Sequence, residues 1–258
     1  MTKIFLKRGK EDSLGRFHPW IFSGAINYMD HEPEEGEVVE VYTHEKVYIA
    51  TGHYQIGSIM VRVLSFDSEC IDTDFYRKKI RIAYDVRKSI GVAENPNNNT
   101  YRLIHGEGDN LPGLVVDIYG KTAVMQAHSV GMHVSRREIA DALAEVLDGT
   151  IDNIYYKSEN TLAYKASEDG GNGFLKGSLA TADDIATENG LRFHVDWLGG
   201  QKTGFFIDQR FNRELVGKYA AGRTVLNTFC YTGGFSVYAL AGGAKEVCSI
   251  DASEKAIR

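Results

Sequence analysis

The sequence predicts a multidomain protein of mixed α+β and α/β class: a β-rich barrel, then a central α+β unit, then the opening of a parallel α/β sheet. Three observations carry this. Residues 1–72 hold short β-branched and aromatic runs bounded by Gly, Asp and Glu turns. Residues 73–190 alternate such runs with helical apolar periodicity. Within 191–258 an apolar run from Val225 enters a Gly-containing turn, and a short helix and a second apolar run ending on Asp251 follow. The last pattern is the first βαβ of a nucleoside-binding sheet, in which glycine lets the backbone approach the ligand and the terminal acid hydrogen-bonds a ribose. Gly233 and Asp251 stand close to the spacing of about 20 residues that this role needs. A doubly wound sheet has several more strands, so the chain is expected to stop inside that domain.

In the first unit, strands are expected at 4–7, 38–42, 47–52 and 59–64, closed into a small barrel because free strand edges invite pairing with other chains. Asp72 or Thr73 caps a helix over about 74–90, with Tyr76, Ile80, Ala83 and Ile90 on one face. Asn95-Pro-Asn-Asn-Asn-Thr reads as an exposed joint. In the central unit, 114–118 and 122–127 flank Tyr119-Gly120-Lys121 as a hairpin. Residues 134–147 have helical spacing and end at Gly149, 151–156 returns as a strand, and the polar 167–173 run is a loop. In the last unit, 191–197 and 203–207 read as a hairpin around Gly199-Gly200, and a helix over 208–219 leads into the βαβ.

Hydrophobic residues at 43% and charged residues at 25% describe a soluble globular protein of 258 residues. No window spans a membrane and no signal-peptide pattern opens the chain. Cys70, Cys230 and Cys248 form no C-x-x-C pair, which argues against disulfides or a zinc knuckle and for the reducing cytoplasm. Glu107 and Asp109 lack a third ligand at useful spacing and read as turn residues, so no metal site is assigned. The net charge is −6, yet the N-terminus is locally basic, with Phe17, His18, Trp20 and Phe22 interleaved. Basic and aromatic residues together grip single-stranded RNA. Lys7, Arg8 and Arg16 are the RNA candidates, Trp20 and Phe22 are expected in the core, and the basic run over 77–88 is a second candidate surface.

The turn Tyr231-Thr-Gly-Gly-Phe lacks the G-x-G-x-x-G of a pyrophosphate cradle, which disfavours a nicotinamide enzyme and suits S-adenosylmethionine. Asn227-Thr-Phe-Cys-Tyr-Thr-Gly-Gly-Phe-Ser and Lys202-Thr-Gly-Phe-Phe-Ile-Asp-Gln-Arg resemble motifs of RlmI-type bacterial 23S rRNA (cytosine-C5)-methyltransferases. His18-Pro-Trp-Ile-Phe-Ser-Gly-Ala resembles the start of that family's PUA domain, and Arg102-Leu-Ile-His-Gly-Glu-Gly-Asp-Asn-Leu-Pro-Gly-Leu-Val-Val-Asp its central domain. The resemblance runs the length of the chain. It implies a PUA-like domain at 1–72, a helix and central strand–strand–helix–strand–strand domain at 73–190, and an incomplete Rossmann-like class I methyltransferase domain from 191. It also implies S-adenosylmethionine as cofactor and 23S ribosomal RNA as partner. The cofactor candidates are Phe206, Gln209, Arg210, Phe229, Tyr231, Thr232, Gly233 and Asp251, with Asp208 as a helix cap. The family uses a cysteine that attacks carbon 6 of cytosine, and its nucleophile and Asp-Pro-Pro motif lie after later strands. No catalytic residue is therefore assigned, Cys230 reads as packing, and residues 1–258 alone are expected to be inactive. A non-catalytic RNA-binding protein is the alternative, and a homodimer is left open.

Overall fold

The computed structural model describes residues 1–162, 171–181 and 185–257. The N-terminal unit is one six-stranded sheet of β1 (Lys3–Leu6), β2 (Trp20–Phe22), β3 (Ile26–Met29), β4 (Val38–Tyr42), β5 (Tyr48–Tyr54) and β6 (Ile59–Ser65), in the order β2-β6-β5-β4-β1-β3. Only β1 and β4 run parallel. The period of two turns Ile4, Leu6, Val39, Val41, Val61 and Val63 into one buried cluster. Among the described residues no ladder joins β2 to β3, so the sheet is half-closed where a closed barrel was expected.

Helix α1 (Thr73–Ser89) starts as expected, with Asp72 accepting from the Phe75 N–H at 3.0 Å. It buries Phe75, Tyr76, Ile80, Ala83 and Tyr84, whereas Ile90 caps the C-terminus and is exposed. The central sheet holds β7 (Thr100–His105), β8 (Leu114–Tyr119), β9 (Thr122–Ala127), β10 (Asn153–Tyr156) and β11 (Gly173–Lys176), in chain order across the sheet. Gly120, at φ 57°, makes the β8–β9 hairpin. The crossover to the parallel β10 is not one helix but two, α2 (Val130–Val134) and α3 (Arg136–Val146), broken at Ser135. The loop expected over 167–173 lies mostly outside the described residues, and Gly173 opens β11.

The first two units dock through α2 and β5. A Cβ on Gly131 would lie 2.1 Å from His53 Cγ, so only glycine allows this approach. His53 is buried with neither ring nitrogen hydrogen-bonded, and burial, with Arg62 adding, pushes it down to about 4. The unfolded chain therefore takes up this proton first, below the ordinary 6.5. Stability from the neutral ring is complete above that pH and is lost as the pH falls toward about 4. The shift corresponds to roughly 3 kcal/mol. Denaturant titrations over this range should show the stability difference between the natural chain and His53→Leu moving toward the variant on acidification. A pH-independent difference would exclude His53 as the titrating group.

The third unit opens with the hairpin of β12 (Ile185–Glu188) and β13 (Leu191–His194). Its turn is Asn189-Gly190, both left-handed at φ 49° and 79°, which matches the strand twist. The hairpin expected around Gly199-Gly200 does not form, and residues 203–207 run as a buried strap into α4 (Arg210–Ala220). Then come β14 (Thr224–Thr228), α5 (Gly234–Ala241) and β15 (Glu246–Ile250), with β14 and β15 parallel from Thr224↔Glu246 to Thr228↔Ile250, and finally α6 (Glu254–Ile257). Helices α4 and α5 touch where a Cβ on Gly242 would lie 2.1 Å from the Gly217 carbonyl. No described helix is long and apolar enough to cross a membrane.

Candidate functional site

Beyond the carboxyl end of β14 the backbone enters the left-handed region at Phe229, Tyr231 and Gly233 (φ 58°, 50° and 80°). This alternation winds the chain tightly over the strand end before α5. Asp251, just past β15, fixes the turn. Its Oδ2 accepts from the Tyr231 N–H and its Oδ1 from the Ser253 N–H, both at 2.8 Å. These bonds, Ser253 first and then Tyr231, hold its carboxyl below the usual carboxylate range. A carboxylate offers about four acceptor sites. Two are used here, which leaves an ionised acceptor for a ribose diol.

A cleft opens at the same edge, as ligand sites do in such sheets. One lobe, of about 200 Å³, is lined by Phe205, Phe206, Gln209, Arg213 and Phe235 together with the turn residues 229–232. A smaller lobe, of about 80 Å³, lies between Gly199-Gly200-Gln201 and Ser253. Tyr231 divides them. Its hydroxyl accepts from the Gln201 N–H at 3.1 Å and donates to the Gly204 carbonyl at 3.3 Å. Its ring meets Phe206 edge-on at 5.3 Å. The strap is also tied to the central sheet. Thr203 Oγ1 donates to the buried Asp117 at 2.6 Å, Tyr119 OH lies 2.9 Å from Thr203, and Arg102 holds Asp117 through two bonds of 2.8 and 2.9 Å.

Behind the strap, buried Glu188 accepts from Arg213 Nε and Nη2 at 2.8 Å each, from Arg210 Nε at 3.2 Å and from Tyr238 OH at 3.0 Å. Arg213 also donates to the Phe206 carbonyl at 2.9 Å and lies over the Phe205 ring at 4.4 Å.

Of the residues singled out from sequence, Phe206, Gln209, Phe229, Tyr231 and Thr232 converge on the larger lobe. Gly233 supplies conformation and Asp251 orients the turn. Arg210 does not line this lobe: its guanidinium is held by Glu188 and the Thr100 carbonyl, whereas Arg213, three residues on and also bound to Glu188, borders it. Asp208 is not the helix cap. Its carboxylate accepts from Gln209 Nε2, and Gln209 precedes α4 with no side-chain cap bond. Phe205, Arg213 and the Gly199-Gly200 lobe carried no signal that separated them from packing.

Lys7, Arg8 and Arg16 are exposed, and Lys7 donates to the Gly24 carbonyl on the rim of a pocket of about 300 Å³ that includes Lys10, Trp20 and Phe22. Trp20 and Phe22 are not core: Phe22 is 49% exposed and the Trp20 indole N–H donates to Glu107 at 2.9 Å. In a three-residue edge strand, alternation sends only Ile21 inward. His18 shapes the turn as expected, accepting from the Trp20 N–H. Asp109 is structural and takes two bonds from Arg87, while Glu107 accepts from Trp20. In the 77–88 run, Arg77 is paired with Asp74 and Glu145, and Lys88 with Glu94.

Apolar rings, an ionised acceptor and a turn without a pyrophosphate cradle suit a nucleoside cofactor of the kind that methyltransferases use. Comparison with known proteins agrees. The family described as PUA-like domain matches residues 4–66, and the S-adenosylmethionine-dependent methyltransferase family matches 122–258. The chain belongs to the S-adenosylmethionine-dependent methyltransferases, whose cofactor fits the residues present. It is similar to ribosomal RNA large subunit methyltransferase I of Vibrio vulnificus (strain CMCP6), at 39% identity over 98% of this chain and 63% of that protein. The Aeromonas hydrophila protein of that name is 40% identical over 99% of this chain and 64% of its own length. The chain thus spans just under two thirds of these relatives. Among solved structures it is similar to a candidate S-adenosylmethionine-dependent methyltransferase from Streptococcus mutans (TM-score 0.81, 27% identity, 100% of this chain and 65% of that one). It is also similar to SMU.776, a candidate methyltransferase complexed with SAH (TM-score 0.82, 27% identity, 100% and 64%).

Proposed function

We propose that this chain is the RNA-platform and cofactor-binding part of an enzyme that methylates 23S ribosomal RNA at carbon 5 of a cytosine. The observation that carries the reading is the acid-fixed turn at Asp251 in a chain that also bears a PUA-like sheet and is similar throughout to large-subunit rRNA methyltransferases. S-adenosylmethionine, when bound, supplies an electrophilic methyl group. Asp251 would accept from the ribose, Phe206 and Phe229 would flank the purine, and the strap would shield one side from water.

Neutral cytosine is a weak carbon nucleophile, so the reading includes a cysteine that adds at carbon 6 and departs once the carbon 5 proton is removed. Cys230 is not suited to that role. Its Sγ donates to the Tyr231 carbonyl, and burial and then the Asp251 charge push its thiol up, away from the reactive thiolate.

The test is methyl transfer from tritiated cofactor to 23S rRNA by the full-length protein, with the product nucleoside identified by mass spectrometry. 5-Methylcytidine is expected, and label on another base would overturn the cytosine assignment. RNA binding without transfer would favour the non-catalytic alternative. Incorporation abolished by Cys230→Ala would make Cys230 the nucleophile.

A further inference from the structure

A second cleft, of about 220 Å³, lies between the N-terminal and central units. Its walls include Arg62 from β6, and His105, Glu107 and His128 from the central unit. Arg62 is half-buried, donates to the neutral Gln55 Oε1 at 3.2 Å, and makes no ion pair among the described residues. Burial pushes its guanidinium down from the usual arginine range, against an opposing pull from Glu107. A partly desolvated cation without a bonded anion is costly to keep.

Trp20 pairs with Arg62 across the β2–β6 ladder. Its ring meets His18 and Phe22 edge-on at 5.9 and 6.4 Å. Trp20 and Phe22 line the pocket of about 300 Å³ next to this cleft, and the Trp20 indole N–H reaches Glu107 on the cleft wall, so an aromatic margin borders the cleft. On the opposite wall Arg102 reaches His105 Nδ1 at 3.3 Å. His128 is held below its usual range by partial desolvation first, then by Arg102 and, more weakly, Lys202, with Glu107 opposing. Lys202 in turn stands 5.7 Å over the Phe206 ring, which lines the cofactor cleft. Arg102 is already paired with Asp117, so Arg62 on the cleft wall and exposed Lys202 beside Phe206 are the cations offered to a polyanion here, in a protein of net charge −6.

We propose that this inter-domain cleft is the groove through which a single-stranded RNA segment reaches the methyl donor, with a phosphate on Arg62 and a base against the Trp20–Phe22 margin. The proposal rests on the RNA reading above and adds where the strand lies. A phosphate oxygen pairs a guanidinium in the planar geometry that lysine cannot offer. Every base has a face to stack on an aromatic ring. Glu107 would repel a small free anion, but its carboxylate can accept from a ribose 2′-hydroxyl, which distinguishes RNA from DNA. An acidic peptide would satisfy Arg62 but leave the aromatic margin without planar partners.

The test is fluorescence anisotropy of a labelled single-stranded oligoribonucleotide with the full-length protein over a salt series. Arg62→Gln keeps a hydrogen-bonding side chain and removes the charge. It should weaken binding several-fold and reduce the slope of log affinity against log salt by about 0.7, the value for one lost phosphate contact. Arg62→Lys should restore the slope, and S-adenosylhomocysteine affinity should be unchanged in both. If the natural protein binds RNA and Arg62→Gln alters neither affinity nor slope, the cleft is overturned and the Lys7–Arg16 face takes its place. If the natural protein binds no RNA, the underlying RNA reading fails instead. Should Arg62→Gln disturb folding, 4-thiouridine crosslinking of the natural protein decides. Crosslinks at Trp20, Phe22, His105 or His128 support the groove, and crosslinks confined elsewhere, or displacement by acidic peptide but not by unlabelled RNA, overturn it.

Discussion

Glu188→Gln is expected to destabilise the third unit by about 3–5 kcal/mol, the usual consequence of leaving a buried charge without its partner. The substitution conserves volume, so the loss comes from two buried guanidinium groups, Arg210 and Arg213, that share this single carboxylate. Arg213 keeps at most one neutral bond, to the amide oxygen, beside the Phe206 carbonyl and the Phe205 ring, and both guanidinium groups lose their buried counter-charge. Urea unfolding followed through Trp197, which is buried in the same cluster as Phe205, would register it. The double variant Glu188→Gln with Arg213→Met should lose less than the sum of the single changes. Unaltered stability in Glu188→Gln would mean that packing, not the ion pair, holds the strap.

Asp251→Ala should lower S-adenosylhomocysteine affinity roughly ten- to a hundredfold, because the turn loses the acceptor that fixes the Tyr231 N–H and the ligand loses its ribose partner. Asp251→Asn should fall between, since its amide oxygen can still accept from one of the two backbone N–H groups. The sign with pH follows from the carboxyl's low position: it stays ionised as the pH falls through the ordinary carboxylate range, and affinity should hold until below that range. Calorimetry of the full-length protein checks both, and wild-type affinity in Asp251→Ala would remove the residue from the site.

Legibility from sequence followed the range of the interactions. Local ones could be read: the Asp72 cap, the Gly120 hairpin, and the β14–α5–β15 succession with its terminal acid all lie within one short window. The Asn189-Gly190 turn was equally local and carried the stronger hairpin signal, yet the Gly199-Gly200 pair drew the prediction. Arg210 misled for a different reason. Its partner Glu188 lies 22 residues earlier, and nothing in the helix sequence tells that Arg210 and Arg213 both turn to this buried acid while Arg213 also borders the lobe. Trp20 and Phe22 have core composition, and only an edge strand too short to show alternation reveals that they face outward. The cleft of Arg62, His105 and His128 is assembled from three separate stretches of chain and has no linear signature.

The fastening of Thr203 to Asp117 and Tyr119 bears on how such proteins can be recombined. A graft of a foreign catalytic domain at residue 190 would transplant the strap but leave its anchor behind in the host. Asp117 would then be a buried acid with one ligand lost, and the strap would have no rigid backing. Exchange should succeed only where the central sheet travels with the strap. The two behave as one inherited block, while the N-terminal sheet meets the central unit through Gly131 against His53, the Val130 N–H on Gln55, Trp20 on Glu107 and Leu64 in the central core.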